Sequence, residues 1–180
     1  MNSSRTRMLV EAGLMLALAQ GLSYIKVFQM PQGGSITAAS MVPLVIFALR
    51  WGFKSGLLAG VAYGILQLIL GGEVYSVHPA SILLDYVLAF GALSLAGIFH
   101  GRNSSLVKVM FGAVLAALGR FVFHLLSGVF VFGMYAPEGT NPWVYSLIYN
   151  GSYMGVEAAV TVLMVALLYV PVIKNKLERI

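Results

Sequence analysis

The 180-residue sequence contains no cysteine and very little charge. Only 9% of its residues are Asp, Glu, Lys or Arg, whereas 59% are hydrophobic and the mean hydropathy is +0.90. A soluble domain carries about 25% charged residues, so this chain has too few charges to cover a surface that faces water. The composition excludes a soluble enzyme, a nucleic-acid-binding domain and a disordered chain. It indicates an integral membrane protein.

The sequence also lacks the residue patterns of intramembrane catalysts. Without cysteine there is no disulfide, no thiolate nucleophile and no cysteine-based metal site. The three histidines are far apart, no second acid flanks Asp85, and neither an HExxH zinc motif nor a phosphate-binding P-loop occurs. We therefore expect no catalytic residues, no metal and no cofactor. Uphill transport would need an ion gradient or a partner as its energy source.

Charged and turn-forming residues divide the chain into six apolar stretches. A membrane-spanning helix needs about 20 residues, and continuous apolar runs favour helices over the alternating strands of a membrane barrel. We therefore predict an all-α membrane protein in which residues 1–180 form one domain of six transmembrane helices. The stretches are approximately residues 8–25, 36–49, 55–72, 81–99, 109–134 and 143–172, of which 36–49 is short and contains Pro43.

Basic residues are distributed unevenly between the predicted loops. With the N-terminus inside, nine Lys or Arg residues lie in inner segments and only Lys26 lies in an outer one. An excess of basic residues marks the cytoplasmic side of a membrane protein. The sequence thus predicts a multi-pass protein of the bacterial plasma membrane with both termini cytoplasmic. The nine are Arg5, Arg7, Arg50, Lys54, Arg102, Lys108, Lys174, Lys176 and Arg179.

Three predicted spans carry ionisable or amide side chains. Asp85 lies in the fourth, Arg120 and His124 lie in the fifth, and Asn150 and Glu157 lie in the sixth. An ionisable group within the hydrocarbon costs about 2.5 kcal/mol or more and is by default a functional hypothesis. A rise of about 1.5 Å per residue places Asp85, His124 and Asn150 at a similar depth in the outer half. This layout predicts a binding site, whereas the deeper Glu157 is expected to be structural.

Aromatic residues are concentrated near the same level. Together with an acid, a histidine and an amide, they would suit a flat, polar, heteroaromatic ligand, particularly a cationic one. Other interpretations stay open: Asp85 could pair with Arg120, His124 and Asn150 could satisfy helix packing, and the rings could form an interfacial belt. The aromatic residues are Tyr75, Tyr86, Phe130, Phe132, Tyr135, Trp143 and Tyr145.

Four short motifs occur in the order and spacing of a known family. They are MPQGGS at 30–35, LLDY at 83–86, RFVFH at 120–124 followed by Ser127 and Gly128, and YSLIYN at 145–150. Over nearly the whole chain, the sequence resembles the thiamine-specific substrate-binding subunits (S components) of energy-coupling factor (ECF) transporters. The resemblance implies six helices with cytoplasmic termini and high-affinity capture of thiamine from outside. It also implies delivery inward with a membrane coupling (T) protein and two cytoplasmic ATPases.

The resemblance further implies roles for individual residues. The family's ligand-contacting acid falls on Asp85, where many members have Glu, and the histidine that holds the ligand rings falls on His124. The helix-six tyrosine and asparagine of the family fall on Tyr145 and Asn150. A tryptophan that some members carry in the first outer loop aligns with Gly34. Further positions near the ligand are Tyr75, Tyr86, Arg120 and Phe132, the last in place of another tryptophan.

Small residues on the first helix are assigned a partner in the same way. Gly13 and Ala17 match the family's small-residue motif that packs against the coupling protein. Alternative functions are an S component for a related vitamin or thiamine precursor, and a self-sufficient proton-coupled carrier that uses Asp85 and Glu157 as a relay. The glycine-rich 30–35 segment is expected to act as a lid.

Overall fold

A computed structural model describes residues 3–71, 74–101 and 104–174 and confirms a predominantly helical protein. Helix α1 begins the described chain, and a β-hairpin separates it from the remaining helices. Among the described residues, four segments are long and apolar enough to cross a membrane: Val42–Leu70, Pro79–Phe99, Leu106–Phe130 and Pro142–Leu167. The elements are α1 (Ser3–Ser23), β1 (Lys26–Gln29), β2 (Ser35–Thr37), α2 and α3 (arms 42–51 and 53–70 of Val42–Leu70), α4 (Pro79–Phe99), α5 (Leu106–Phe130), α6 (Pro142–Leu167) and a π-helical turn, Tyr169–Lys174.

The segment predicted as the first outer loop forms the β-hairpin. Strands β1 and β2 are antiparallel, with Lys26 opposite Thr37 and an irregularity before Phe28. The prediction that a helix begins at residue 36 is therefore wrong, because Ile36 is β-branched and pairs in the hairpin. The helix begins at residue 42 instead, where Pro43 occupies the first turn, a position that suits its fixed φ and missing N–H.

Gly52 separates α2 from α3 and reverses the chain direction. Its φ of 81° and ψ of 174° are not helical. A Cβ atom placed on Gly56 would lie 2.7 Å from the Cβ of Ala48, although eight residues of one straight helix would separate them by about 12 Å. The predicted break between the second and third stretches is thus confirmed. The ten residues of α2 extend about 15 Å, roughly half of the hydrocarbon thickness.

Close backbone packing holds α4 against α3. A Cβ on Gly60 would lie 2.4 Å from the carbonyl oxygen of Phe90, and one on Gly64 would lie 2.2 Å from that of Tyr86. The facing part of α4 is not regular: Ile82–Leu88 form a π-helix and Ala92–Phe99 form a 3₁₀-helix. Because π-helical segments occur frequently at functional sites, the irregular stretch Ile82–Leu88 indicates a functional site in this part of α4.

Small residues also recur four positions apart on α5, at Gly112 and Ala116, and on α6, at Gly151 and Gly155, and this spacing predicts close packing within the chain. The structure divides these motifs into packed and exposed ones. Gly112 and Ala116 of α5 are buried, as expected for intramolecular packing. At Gly151 and Gly155 of α6, an added Cβ atom would have nothing within 4 Å, so the expectation that they pack within the chain is wrong. In α1, Gly13 and Ala17 are both exposed, next to the exposed apolar side chains of Leu9, Leu14 and Leu18.

A buried ion pair joins α1 to α2 at the end opposite the hairpin. Nη1 of Arg50 lies 2.5 Å from Oε1 of Glu11, and the Arg50 side chain is only 1% exposed. The sequence predicts an inner loop for Arg50, but the structure places it in the last turn of α2. Burial of a charged group in the last turn of a helix requires a partner of opposite sign, which Glu11 provides.

Several helix boundaries differ from the predictions. Helix α5 ends at Phe130 rather than at 134, and α6 ends at Leu167, followed by the π-helical turn, rather than continuing to 172. Charged and amide residues lower the hydropathy of α1, which is not among the four apolar segments. Residue 72, which ends the third predicted span, and the basic residues Arg102, Lys176 and Arg179 lie outside the described residues.

Candidate ligand-binding site

A single cavity beneath the hairpin gathers side chains from α3, α4, α5, α6 and the hairpin itself. Every residue that the sequence assigned to ligand binding lines it, although these residues are spread along the chain from position 75 to position 150. Their role in binding remains a prediction, but their convergence is a property of the fold. They are Tyr75, Asp85, Tyr86, Arg120, His124, Phe132, Tyr145 and Asn150.

Asp85 occupies the π-helical part of α4 and is bonded on both carboxylate oxygens. Its Oδ2 accepts hydrogen bonds from Ser81 Oγ at 2.7 Å and from Ser127 Oγ at 2.6 Å. Its Oδ1 lies 3.0 Å from Nδ1 of His124. Because these partners belong to α4 and α5, the carboxylate ties the two helices together at the cavity wall.

His124 connects Asp85 to Arg120. Nε of Arg120 donates to Nε2 of His124 at 3.3 Å, four residues along α5. Since the arginine can only donate, Nε2 must supply a lone pair, and the ring proton lies on Nδ1, facing Asp85. Among the described contacts, both Asp85 and Arg120 contact His124, and no ion pair joins Asp85 to Arg120. The alternative in which these two residues pair directly is therefore wrong. The Arg120 guanidinium also stacks over the ring of Phe90, 4.6 Å from its centroid.

Asn150 bridges α5 and α6 at the edge of the cavity. Its Nδ2 donates to the carbonyl of His124 at 3.3 Å and to the carbonyl of Ser146 at 3.0 Å. Its Oδ1 accepts from the Tyr153 hydroxyl at 3.0 Å. The interpretation of Asn150 as a helix-bridging amide thus has support, because these bonds engage the side chain while it also lines the cavity.

Aromatic rings line one side of the cavity as a ladder on α6. Tyr145 and Tyr149 lie with ring centroids 5.7 Å apart, and Tyr149 meets Tyr153 edge-on at 6.3 Å. Phe130 and Trp143 contact each other at 6.4 Å but are 69% and 50% exposed and do not line the cavity. The predicted aromatic group therefore separates into cavity rings and outward-facing rings, the latter suited to a membrane interface.

The hairpin covers the cavity and is fastened to α6. The Tyr149 hydroxyl accepts from the backbone N–H of Gln32 and donates to the carbonyl of Gly33, both at 2.9 Å. The turn contains Gly33 and Gly34 with φ of 91° and 88°, which only glycine adopts readily. The rings of Tyr75 and Tyr153 lie so close to these glycines that a Cβ there would approach to 2.7 and 2.5 Å, respectively.

Polar residues that were not predicted to belong to the site also line the cavity. Nε2 of Gln67 lies within hydrogen-bond distance of Tyr63 Oη at 2.6 Å and of Ser23 Oγ at 2.9 Å. Glu157, expected to be structural, accepts hydrogen bonds from the backbone N–H and the hydroxyl of Thr37 in β2. An amide within an apolar stretch was a sequence signal for Gln67. No sequence signal joins residues 37 and 157, which meet only in the folded chain.

Within the described parts of the chain, no group of three or more His, Asp or Glu residues is arranged to hold a metal ion. The charged side chains that line the cavity are Asp85, Glu157, Arg120 and the exposed Lys26 at its mouth. The chemistry available is therefore hydrogen bonding, ring stacking and charge complementarity. Such a site can bind and orient a small polar molecule.

These features define a multi-pass membrane protein with a covered cavity that is lined by polar and aromatic side chains. The chain belongs to the thiamine transporter protein family, whose pattern it matches over residues 9–177. Membership confirms the resemblance given by the four motifs. It also confirms a multi-pass protein of the cell membrane that serves transport and is not an enzyme.

Individual relatives cover nearly the full chain. The thiamine transporter ThiT of Bacillus subtilis is 34% identical over an alignment of 182 positions that covers 94% of this chain and 94% of the relative. ThiT of Lacticaseibacillus paracasei is 32% identical over 178 residues, covering 89% of this chain and 85% of the relative. A solved structure of ThiT from Listeria monocytogenes superposes with a TM-score of 0.83 at 23% identity, covering 97% of this chain and 98% of that one. That likeness supports the fold.

Proposed function

We propose that this protein captures thiamine and is the substrate-binding subunit of an ATP-driven ECF-type importer. The observation that carries the proposal is the convergence of all eight assigned residues on one covered cavity in a member of the thiamine transporter family. The two relatives described above are themselves named thiamine transporters. In this proposal the chain crosses the membrane six times, both termini are cytoplasmic, and the hairpin faces outside.

The cavity matches the chemistry of thiamine, which joins an aminopyrimidine to a permanently cationic thiazolium. Tyrosine rings and Phe132 provide stacking surfaces and a cation–π attraction to the thiazolium. Buried carboxylates attract a cation more strongly than exposed ones, because little water screens them. The His124 ring, held by Asp85 and Arg120, offers a flat surface of defined orientation.

The exposed face of α1 supports a partner in the membrane. Gly13 and Ala17 leave room for close approach of another helix, and the apolar side chains of Leu9, Leu14 and Leu18 beside them are exposed. Small residues spaced four apart let membrane helices approach closely. We assign this face to the coupling protein, through which two cytoplasmic ATPases would drive delivery of the ligand.

Ligand-dependent thermal stabilisation of the purified protein in detergent tests the binding proposal. The panel contains thiamine, its mono- and diphosphate, the pyrimidine precursor, riboflavin and biotin. A ligand that binds only the folded state adds about 2.7 kcal/mol of stability at 100-fold excess over Kd. We expect a large shift with thiamine and none with riboflavin or biotin. No shift with any thiamine compound, after removal of co-purified ligand, would refute it.

Uptake into proteoliposomes tests the coupling proposal separately. The protein alone should bind thiamine without accumulating it, and accumulation should require the coupling protein, the ATPases and ATP. Accumulation by the protein alone in response to a pH gradient would instead establish a self-sufficient proton-coupled carrier.

A further inference from the structure

Glu157 has a carboxylate oxygen that no described group satisfies. The residue is 3% exposed and lines the cavity from α6. Its Oε1 accepts both hydrogen bonds from Thr37, whereas Oε2 is buried and has no hydrogen-bond partner in the described structure. A buried carboxylate oxygen without a partner carries a substantial desolvation cost, and a cation placed near it would offset that cost through Coulomb attraction.

Asp85 presents the opposite situation. Both of its oxygens are already engaged, by His124 on one side and by Ser81 and Ser127 on the other. A carboxylate with three donors has little remaining need for a cationic partner. Of the two cavity carboxylates, Glu157 is therefore the one whose charge is left for the ligand.

The charges around the cavity agree with this assignment. Two carboxylates, Asp85 and Glu157, face one guanidinium, that of Arg120, which is directed at His124 and the ring of Phe90. The remaining cation that lines the cavity, Lys26, is exposed on β1 with its Nζ 3.4 Å from Oε1 of Gln29. Solvent screens an exposed charge far more than a buried one. The deeper part of the cavity thus has one uncompensated negative charge, which suits a monocation.

We propose that Glu157 contacts the ligand and determines its selectivity for a cation, with Oε2 balancing the positive ring. Asp85 then acts as a positioning residue that holds His124, and does not serve as the main counter-ion. The inference rests on the proposed function and deepens it, because it names the residue that recognises the charge of thiamine. It also revises the expectation that Glu157 is only structural.

The contact with Thr37 allows the effect of the Glu157 charge to be measured separately from the effect of its hydrogen bonds to β2. In Glu157→Gln, the amide oxygen still accepts from both Thr37 groups, but the negative charge is gone and an N–H₂ group takes the place of Oε2. Thr37→Val makes the converse change, since it removes the hydroxyl donor and keeps the carboxylate. Asp85→Asn is the matched charge-neutral change at the other carboxylate.

The experiment compares thiamine with an analogue in which a neutral thiophene replaces the thiazolium, by titration calorimetry of the purified full-length protein in detergent. In wild type, thiamine should bind more tightly than the analogue. Glu157→Gln should weaken thiamine binding about tenfold or more, because the Coulomb attraction between opposite charges is lost in a partly desolvated site, and should change analogue binding less than about threefold. Asp85→Asn should weaken both ligands alike, because His124 loses its orientation, and Thr37→Val should keep the preference for the cation.

Two results would overturn the inference: an unchanged ratio of the two affinities in Glu157→Gln, or a ratio abolished by Asp85→Asn alone. Thermal melting of each variant without ligand establishes that it is folded. If wild type itself does not bind thiamine, the proposed function fails. If wild type binds thiamine and Glu157→Gln retains the preference, only the role of Glu157 fails.

Discussion

Gly64 is the position at which a single methyl group should most clearly disturb the site. Its α-carbon lies against the backbone of the π-helix Ile82–Leu88 in α4, which carries Asp85. A Cβ there would lie 2.2 Å from the carbonyl oxygen of Tyr86 and 2.8 Å from its carbonyl carbon. Backbone atoms cannot rotate away as a flexible side chain does. In Gly64→Ala, α3 and α4 must therefore move apart.

The size of the movement follows from the contact distance. Ordinary C···O contacts are about 3.3 Å or longer, so the helices must separate by about 1 Å. The Asp85 bonds to Ser127, 2.6 Å, and to His124, 3.0 Å, would be stretched or broken by such a displacement. Overpacking costs about 1–3 kcal/mol, and the better helix propensity of alanine returns about 1 kcal/mol. The net loss of stability is therefore modest, up to about 2 kcal/mol.

The measurement is thiamine affinity beside the melting temperature of the ligand-free protein, both in detergent. Gly64→Ala should weaken binding by about tenfold or more while the protein remains folded, since the damage is concentrated at Asp85. The matched control is Gly151→Ala in α6, where nothing lies within 4 Å of the added methyl group, and it should bind as wild type does. Wild-type affinity in a folded Gly64→Ala variant would refute the argument that the α3–α4 contact positions Asp85.

Three other perturbations have defined outcomes. Gly34→Ala should destabilise the protein and weaken ligand binding more than Gly139→Ala does. Both glycines have positive φ, but only at Gly34 would an added Cβ press against a ring, that of Tyr153. Equal shifts of the melting temperature in the two variants would contradict this. Tyr149→Phe removes two hydrogen bonds to the hairpin turn, each worth about 1 kcal/mol, and should increase amide hydrogen exchange there. Glu11→Gln leaves the buried Arg50 without its ion pair and should cost about 3–5 kcal/mol on thermal melting, whereas the double change Glu11→Leu with Arg50→Met should recover most of it.

The helices and the position of the cavity were predictable because the membrane makes certain residues costly. Polar groups such as Asp85, His124 and Asn150 are unfavourable in hydrocarbon, so their presence in apolar stretches already indicates that they face an interior. The sequence predicted a helix end near Gly52, between the basic residues Arg50 and Lys54. The positive φ of Gly52 in the structure shows how the chain reverses there. These signals are local in the sequence.

The remaining features depend on contacts between distant segments. The hairpin was hidden because Ile36 and Thr37 of β2 adjoin an apolar helix and were counted with it. The π-helical form of Ile82–Leu88 depends on packing against α3, which no periodicity in α4 reveals. The hydrogen bond from Thr37 to Glu157 joins residues that are 120 positions apart in the sequence. The position of Glu157 along its helix therefore predicted its depth in the membrane but not its partner.

The two positions at which the resemblance implies a tryptophan in other members, Gly34 and Phe132, differ in the space that the structure leaves for a larger ring. Phe132 still lines the cavity and stacks on Tyr135 at 6.2 Å, so a smaller ring there reduces the stacking surface without changing the arrangement. At Gly34, by contrast, the positive φ and the ring of Tyr153 leave no space for a tryptophan. The ring of Tyr153 occupies the space beneath the hairpin that a loop side chain would need. Gly34 and Tyr153 therefore pack together: the absence of a side chain at position 34 makes room for the tyrosine ring. Replacing Gly34 with Trp alone should disrupt the hairpin and should not add stacking surface.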